Sequence, residues 1–136
     1  MTCDGLEGLT WQEFEEYIRD LLEHHDFEVQ FRKVFRTPER GYQIDVVAVG
    51  RGLCLCIDGK KYGRGRHRSS SLKGQAKLHY ERCLAHERAF GIRSIPVIVS
   101  WLDDSLMYEN GCIFVPIDRL NDFLLNLKAY LTDMGF

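Results

Sequence analysis

The chain has 136 residues, 45% of them hydrophobic and 28% charged, with a formal net charge of −2. That is enough for one domain with a single core, too short for two ordinary ones, and too apolar for disorder. The longest apolar runs, such as Ile95 to Leu102, fall far short of a bilayer span, and the start MTCDGLEG lacks the basic flank of a signal peptide. The expected location is therefore the cytoplasm. Five cysteines at 3, 54, 56, 83 and 112 include no CxxC unit, so neither a disulfide framework nor a zinc ribbon is indicated. Cys54 and Cys56 read as small buried residues on one strand face. Charge is unevenly placed. Residues 60 to 77 carry seven Lys or Arg and no acid, leaving −9 on the rest, so a local cationic patch sits on an acidic body.

In chain order, Thr10 with Glu13 three residues on forms a capping box. Phe14, Ile18, Leu21 and Leu22, with Tyr17 beside them, then recur at helical spacing, and His24 and His25 end this first helix. Phe27 to Phe35 alternates as a half-buried strand, and RTPERGY, holding Pro38 and Gly41, is a turn. Two strand-like runs follow, Tyr42 to Val49 and Leu53 to Tyr62, joined by a tight hairpin. A turn at Arg51-Gly52 sets Asp45 opposite Asp58 and Gln43 opposite Lys60. Asp45, Asp58 and Lys60 then project to one side, with the two acids about 5 Å apart at their α-carbons. A slip of one residue separates them.

Gly63 to Ser71 is a basic, Gly/Ser-rich loop. A second helix is expected over Leu72 to Phe90, with Leu72, Ala76, Tyr80, Cys83 and Phe90 inward and Gly91 closing it. Ser94 to Trp101 reads as a strand covered on both faces, Cys112 to Pro116 as a short strand, and Ile117 to Leu131 as a closing helix with Leu120, Phe123, Leu124, Leu127 and Leu131 inward. Trp11, Tyr80 and Trp101 read as core aromatics. His79, Cys83 and His86 fall at i, i+4 and i+7 of the second helix, a spacing open to a transition metal, but no fourth ligand is apparent and Cys83 fits the core stripe.

Two carboxylates on adjacent strands repel unless a cation lies between them. A hard ion such as Mg2+, with Mn2+ as substitute, meets that need, and Lys60 places an ammonium beside the bound water. The set suits phosphodiester hydrolysis. QIDVVAV followed by CIDGKKY resembles the catalytic hairpin of the PD-(D/E)xK nucleases, most closely the Mrr-like restriction enzymes and the archaeal Holliday-junction resolvases. The likeness runs from about Leu9 to Leu127. Isoleucine stands where the motif has proline, and Gly59 fills a position usually held by a larger residue, which loosens the strand and leaves Lys61 as the alternative lysine.

The resemblance implies a restriction-endonuclease-like α/β fold: a central mixed sheet flanked by helices, with an αβββαβ core plus a C-terminal strand and helix. It makes Asp45 and Asp58 the metal-binding acids, Lys60 the motif lysine, Glu15 of the Phe14-Glu15 pair a helix acid assisting the metal, and Gln75 a glutamine near the active site. Lys61, Arg64, Arg66, Arg68, Lys73 and Lys77 are the expected DNA contacts. The implied activity is Mg2+-dependent cleavage of DNA to a 5′-phosphate and a 3′-hydroxyl. It fits a homodimer acting on a junction, flap or nick in DNA repair. Two alternatives stay open: a cleavage subunit of a restriction or defence system whose partner protein selects the target, and a non-catalytic DNA-binding module that keeps the fold.

Overall fold

A computed structural model of the chain describes residues 10–60, 68–100 and 107–136, with side chains described over 10–60, 74–100 and 108–136. Its elements are α1 (Trp11–His24), β1 (Glu28–Arg36), β2 (Gly41–Gly50), β3 (Leu53–Lys60), α2 (Arg68–Phe90), β4 (Ser94–Ser100), β5 (Met107–Glu109) and β6 (Cys112–Pro116). A 3-10 turn (Ile117–Arg119), α3 (Leu120–Leu125) and α4 (Leu127–Asp133) close the chain. The strands form one six-stranded mixed sheet in the order β1-β2-β3-β4-β6-β5. The first three pair antiparallel, whereas β3 with β4 and β4 with β6 run parallel. The crossover between β3 and β4 is made by α2, so β3 and β4 lie in the middle of the sheet and are buried on both faces. The architecture is therefore α/β, a mixed sheet flanked by helices. No described helix is long and apolar enough to cross a membrane.

Two layers of core follow from strand alternation. Leu53, Leu55 and Ile57 of β3 pack with Phe14, Ile18 and Leu22 of α1 and with Phe123, Leu127 and Leu131 of α3 and α4. The intervening Cys54 and Cys56 face the other way, toward Cys83 and Ala85 of α2. Thr10 and Glu13 close the capping box of α1 as expected, through reciprocal bonds of 3.1 and 3.0 Å. Gly91, at φ +66, ends α2 by donating its N–H to the Glu87 carbonyl, 2.8 Å away.

Several expectations need correction. The interior of α2 is more polar than predicted. Ala76 and Cys83 are buried, but Tyr80 and Phe90 are 40% and 48% exposed, and His79 and His86 take the inward positions instead. Trp11 is also exposed, lying edge-on to Phe14 at the surface. Leu72 and Trp101 fall outside the described side chains. The closing helix is broken at Asn126 into α3 and α4, although all five of its expected inward residues are buried. The short strand β5 was not anticipated. It pairs with β6 across Asn110-Gly111, both at positive φ, as a tight two-residue hairpin turn requires.

Gly59 has a steric reason. A Cβ built there would stand 2.5 Å from Cε2 and 2.9 Å from Cζ of Phe14, whose ring is itself buried in the core. The missing side chain lets α1 approach β3. Gly59→Ala should therefore cost about 1–3 kcal/mol, in the range of overpacked cores, read as a lower urea midpoint, with Phe14→Leu in the same chain recovering part of the loss. An unchanged midpoint in Gly59→Ala would contradict this packing.

Candidate active site

The hairpin between β2 and β3 turns at Arg51 and Gly52, with φ of +53 and +76, both on the left-handed side as the tightest hairpin turns demand. Arg51 also clamps the turn, donating to the carbonyls of Leu124 at 2.9 Å and His25 at 3.1 Å. The resulting ladder runs from Gly50 against Leu53 to Val46 against Ile57. One step beyond its last rung stand Asp45 and Asp58, as the sequence anticipates, and their carboxyl groups share a hydrogen bond. Lys60 reaches back along β3 to Asp58, Nζ to Oδ2 3.0 Å. Arg82 of α2 lies 4.0 Å from the same oxygen.

These groups occupy a cleft of about 610 Å3, lined also by Arg36, Arg40, Tyr42 and Gln43. Four cationic side chains thus surround two acids. A second cavity of about 200 Å3, lined by Glu15, Arg32 and Gly59 among others, meets the first at Gln43 and Asp45. The position of Asp45 between them has a local cause. On β1 the residues packing toward α1 include Phe31, whereas Phe35 packs toward α2; on β2, Val46 packs toward α1 and Ile44 toward α2. Both strands change face at the step holding Arg32 and Asp45, where Arg32 adopts φ +53. A non-glycine residue in that region stores on the order of 1 kcal/mol or more of strain. Arg32 is bound to Glu15, Nη1 to Oε1 2.7 Å.

Partial desolvation, the hydrogen bond to Asp58 and the nearby Asp58 charge raise Asp45 from the ordinary carboxylate range to about 6. Burial pushes Asp58 upward too, but the hydrogen bond from Asp45 and the charge of Lys60 outweigh it and hold Asp58 below its usual value. Burial keeps the nearby His79 imidazole neutral, so Asp45 and Lys60 are the groups that stabilise the Asp58 charge. The pair therefore shares one proton, carried by Asp45, around neutrality's acid side. Two converging carboxyl oxygens that hold a proton between them fit a hard divalent ion, which prefers oxygen donors and displaces that proton.

The remaining sequence candidates divide. Glu15 reaches the adjoining cavity, where Arg32 holds it. Gln75 is half-buried on α2, and neither cavity counts it among its described lining residues. Lys77 is exposed on α2 and does not line the cleft. Lys61, Arg64 and Arg66 lie outside the described residues, as do the side chains of Arg68 and Lys73. Three cleft cations go beyond the sequence candidates: Arg36 and Arg40, which lie within the segment RTPERGY read only as a turn, and Arg82, one helical turn after His79. The β1–β2 register, in which Arg36 faces Gly41, brings the first two to the acid end of the sheet.

No protein-family model matches the chain. An uncharacterized protein of Archaeoglobus fulgidus is 47% identical over 128 residues, covering 94% of this chain and 99% of that one. Among solved structures, the protein of unknown function AF1548 superposes with a TM-score of 0.55 at 21% identity, over 85% of this chain and 66% of its own length, which establishes a shared fold. Protein VC1899 from Vibrio cholerae gives a TM-score of 0.44 at 15% identity, over 86% of this chain and 32% of its own.

The acid pair sets a pH test. Because the folded state holds the Asp45 proton up to about 6, against an ordinary value of 3.8, its contribution to metal-free stability falls as pH rises between these values. Asp58, held low, keeps its charge across that window. Asp45→Asn should therefore raise the metal-free melting temperature at pH 8 and leave it nearly unchanged at pH 4. Wild type should gain more melting temperature from Mg2+ at pH 8 than at pH 5, and Asp45→Asn should lose that gain. Equal Mg2+ shifts at both pH values would count against a shared proton.

Proposed function

The chain belongs to one family with the uncharacterized Archaeoglobus fulgidus protein, and on the geometry of its cleft we propose that it is a metal-dependent endodeoxyribonuclease of the PD-(D/E)xK kind. The observation that carries this reading is the hydrogen-bonded pair Asp45 and Asp58 with Lys60 at 3.0 Å, opening into a cleft rich in arginine. The likeness to the Mrr-like enzymes and junction resolvases, drawn from the QIDVVAV and CIDGKKY segments, supports a restriction-endonuclease-like version of the observed α/β fold.

Asp45 and Asp58 would hold Mg2+ or Mn2+, with Glu15 a further carboxylate on the cavity that Asp45 also lines. The bound ion supplies Lewis acidity at the phosphate and a water of lowered pKa. The protein's own groups do the rest. Asp58 fixes the Lys60 ammonium at the floor of the cleft, where it orients the water and offsets charge on the phosphate oxygens. Arg82, Arg36 and Arg40 also line this cleft, and guanidinium groups match phosphate oxygens two at a time. These are phosphate contacts, which position a duplex without reading its bases. The reading is therefore a structure-selective cut at a junction, flap or nick, made by a homodimer that offers two sites to a two-fold substrate.

The test is purified protein with Mg2+ or Mn2+ and end-labelled linear, nicked, flapped and four-way DNA. Wild type should cut the branched forms, and Asp58→Ala and Lys60→Ala should each lose at least about 100-fold in rate while keeping the wild-type circular dichroism. Arg82→Ala should weaken DNA binding and flatten its salt dependence by about one charge. Cutting that needs an added partner protein would instead favour a restriction or defence subunit. Tight binding without cutting, unchanged in Asp58→Ala, would favour a non-catalytic module and overturn the nuclease reading.

A further inference from the structure

The face of β3 that carries Asp58 and Lys60 carries Cys54 and Cys56 farther along, and α2 lays His79, Cys83 and His86 over it. All five residues are buried. The sulfurs of Cys54 and Cys56 are 3.9 Å apart. Two thiolates on one tetrahedral zinc ion, each at about 2.3 Å, stand about 3.8 Å apart. A ring nitrogen of His86 lies within 4.8 Å of both sulfurs. Cys83, one helical turn before His86, packs in the same buried cluster as Cys54 and Cys56, with its Sγ 3.6 Å from His79 Nε2. Two cysteines of β3 thus stand beside Cys83 and His86 of α2, which takes the place of the helix-only trio that the sequence spacing suggests.

The hydrogen bonds around His86 favour a ligand role. Ser94 Oγ donates its proton to the Ile92 carbonyl at 3.0 Å, so it accepts from His86 Nδ1 at 2.9 Å. Nδ1 therefore carries the ring hydrogen, and Nε2 presents its lone pair. That lone pair faces a cation already, the Lys33 ammonium at 2.9 Å, which also lies over the Phe90 ring at 3.7 Å. A ligating histidine with its second nitrogen anchored by hydrogen bonding is the usual arrangement at a metal. Apolar filling accounts for three small thiols in a core; it does not account for an imidazole and an ammonium placed in the same layer.

We propose that Cys54, Cys56, Cys83 and His86 form a second metal site, for one thiophilic divalent ion of the Zn2+ class, distinct from the carboxylate site and independent of the nuclease reading. On binding, the three thiols release their protons to solvent, and His86 Nε2 exchanges the Lys33 ammonium for the ion. Three thiolates and a neutral imidazole about a divalent ion leave one negative charge, which Lys33, still adjacent, offsets. The ion then ties β3 to α2 beside the acid pair, through the segment that also carries His79, whose Nε2 meets the Cys56 carbonyl at 2.8 Å.

The full chain, reduced and stripped of metal, is titrated with Co2+ without oxygen. Saturation at one equivalent, with intense visible bands of tetrahedral cobalt, sulfur-to-cobalt charge transfer in the near ultraviolet and loss of both on adding Zn2+, is the expected result. Cys56→Ser should weaken binding at least tenfold. Cys112→Ser, whose thiol bonds to the Ala76 carbonyl in a separate cluster, and Asp58→Ala should leave the spectrum unchanged. Absence of charge transfer in wild type overturns the proposal whatever the variants do, as does a spectrum that survives Cys54→Ser with Cys56→Ser or vanishes in Asp58→Ala.

Discussion

Everything at the acid end of the sheet depends on the register of one hairpin. Side chains on a strand alternate with period two, so a slip of a single residue between β2 and β3 would turn Asp58 toward Phe14 and bring Ile57 to the cleft. The tight turn at Arg51 and Gly52 prevents that slip by its backbone geometry, and the Arg51 guanidinium fastens it to the end of α1 and to α3. The acid pair is the product of this constraint. Two carboxyls in a desolvated setting must share a proton or a cation, and the raised Asp45 beside the lowered Asp58 is the signature of that conflict.

The surroundings are arranged around the same conflict. Lys60 and Arg82 lie against Asp58 from the strand and from the helix, so its charge is met on two sides. Asp45 has no such ion pair among the described residues and stands where two cavities meet. The strain at Arg32 belongs to this design, because the change of face there lets β1 serve both layers. Before it, Phe31 packs on the α1 side; after it, Lys33 reaches His86 on the α2 side. Gly59 belongs to it as well, since only a residue without a side chain lets α1 bring Glu15 to the edge of the acid cavity.

Much of this was legible in the residues. The period-two patterns, the capping box, the turn at Arg51-Gly52 and the apolar run of β4 each reflect a local rule, and local rules are what a single sequence expresses. The alternation that set Asp45 against Asp58 needed only the turn to be placed correctly. Other features were beyond that reach. Nothing in FRKVF announces that Arg32 takes a left-handed conformation, and period-two reasoning across it assigns Lys33 to the wrong layer. The inner face of α2 departs from expectation because Tyr80 and Phe90 are the large apolar residues, whereas the layer they would enter is filled by His79, Cys83 and His86, whose partners come from β1, β3 and β4. Arg82, Arg36 and Arg40 come together only through tertiary contact. The hairpin at Asn110-Gly111 is the exception, because its turn signal is local and stands in the sequence itself.

The central claim is that Asp45 and Asp58 form one cation site at the floor of a phosphate-binding cleft. The most direct measurement is a crystal of the protein soaked in Mn2+ at pH 8, with anomalous scattering recorded at the manganese edge. The account requires a peak bonded to oxygens of both Asp45 and Asp58, at about 2.1–2.2 Å, with Lys60 beside it. Manganese bound elsewhere, with the two carboxyls still hydrogen-bonded to each other, would contradict it.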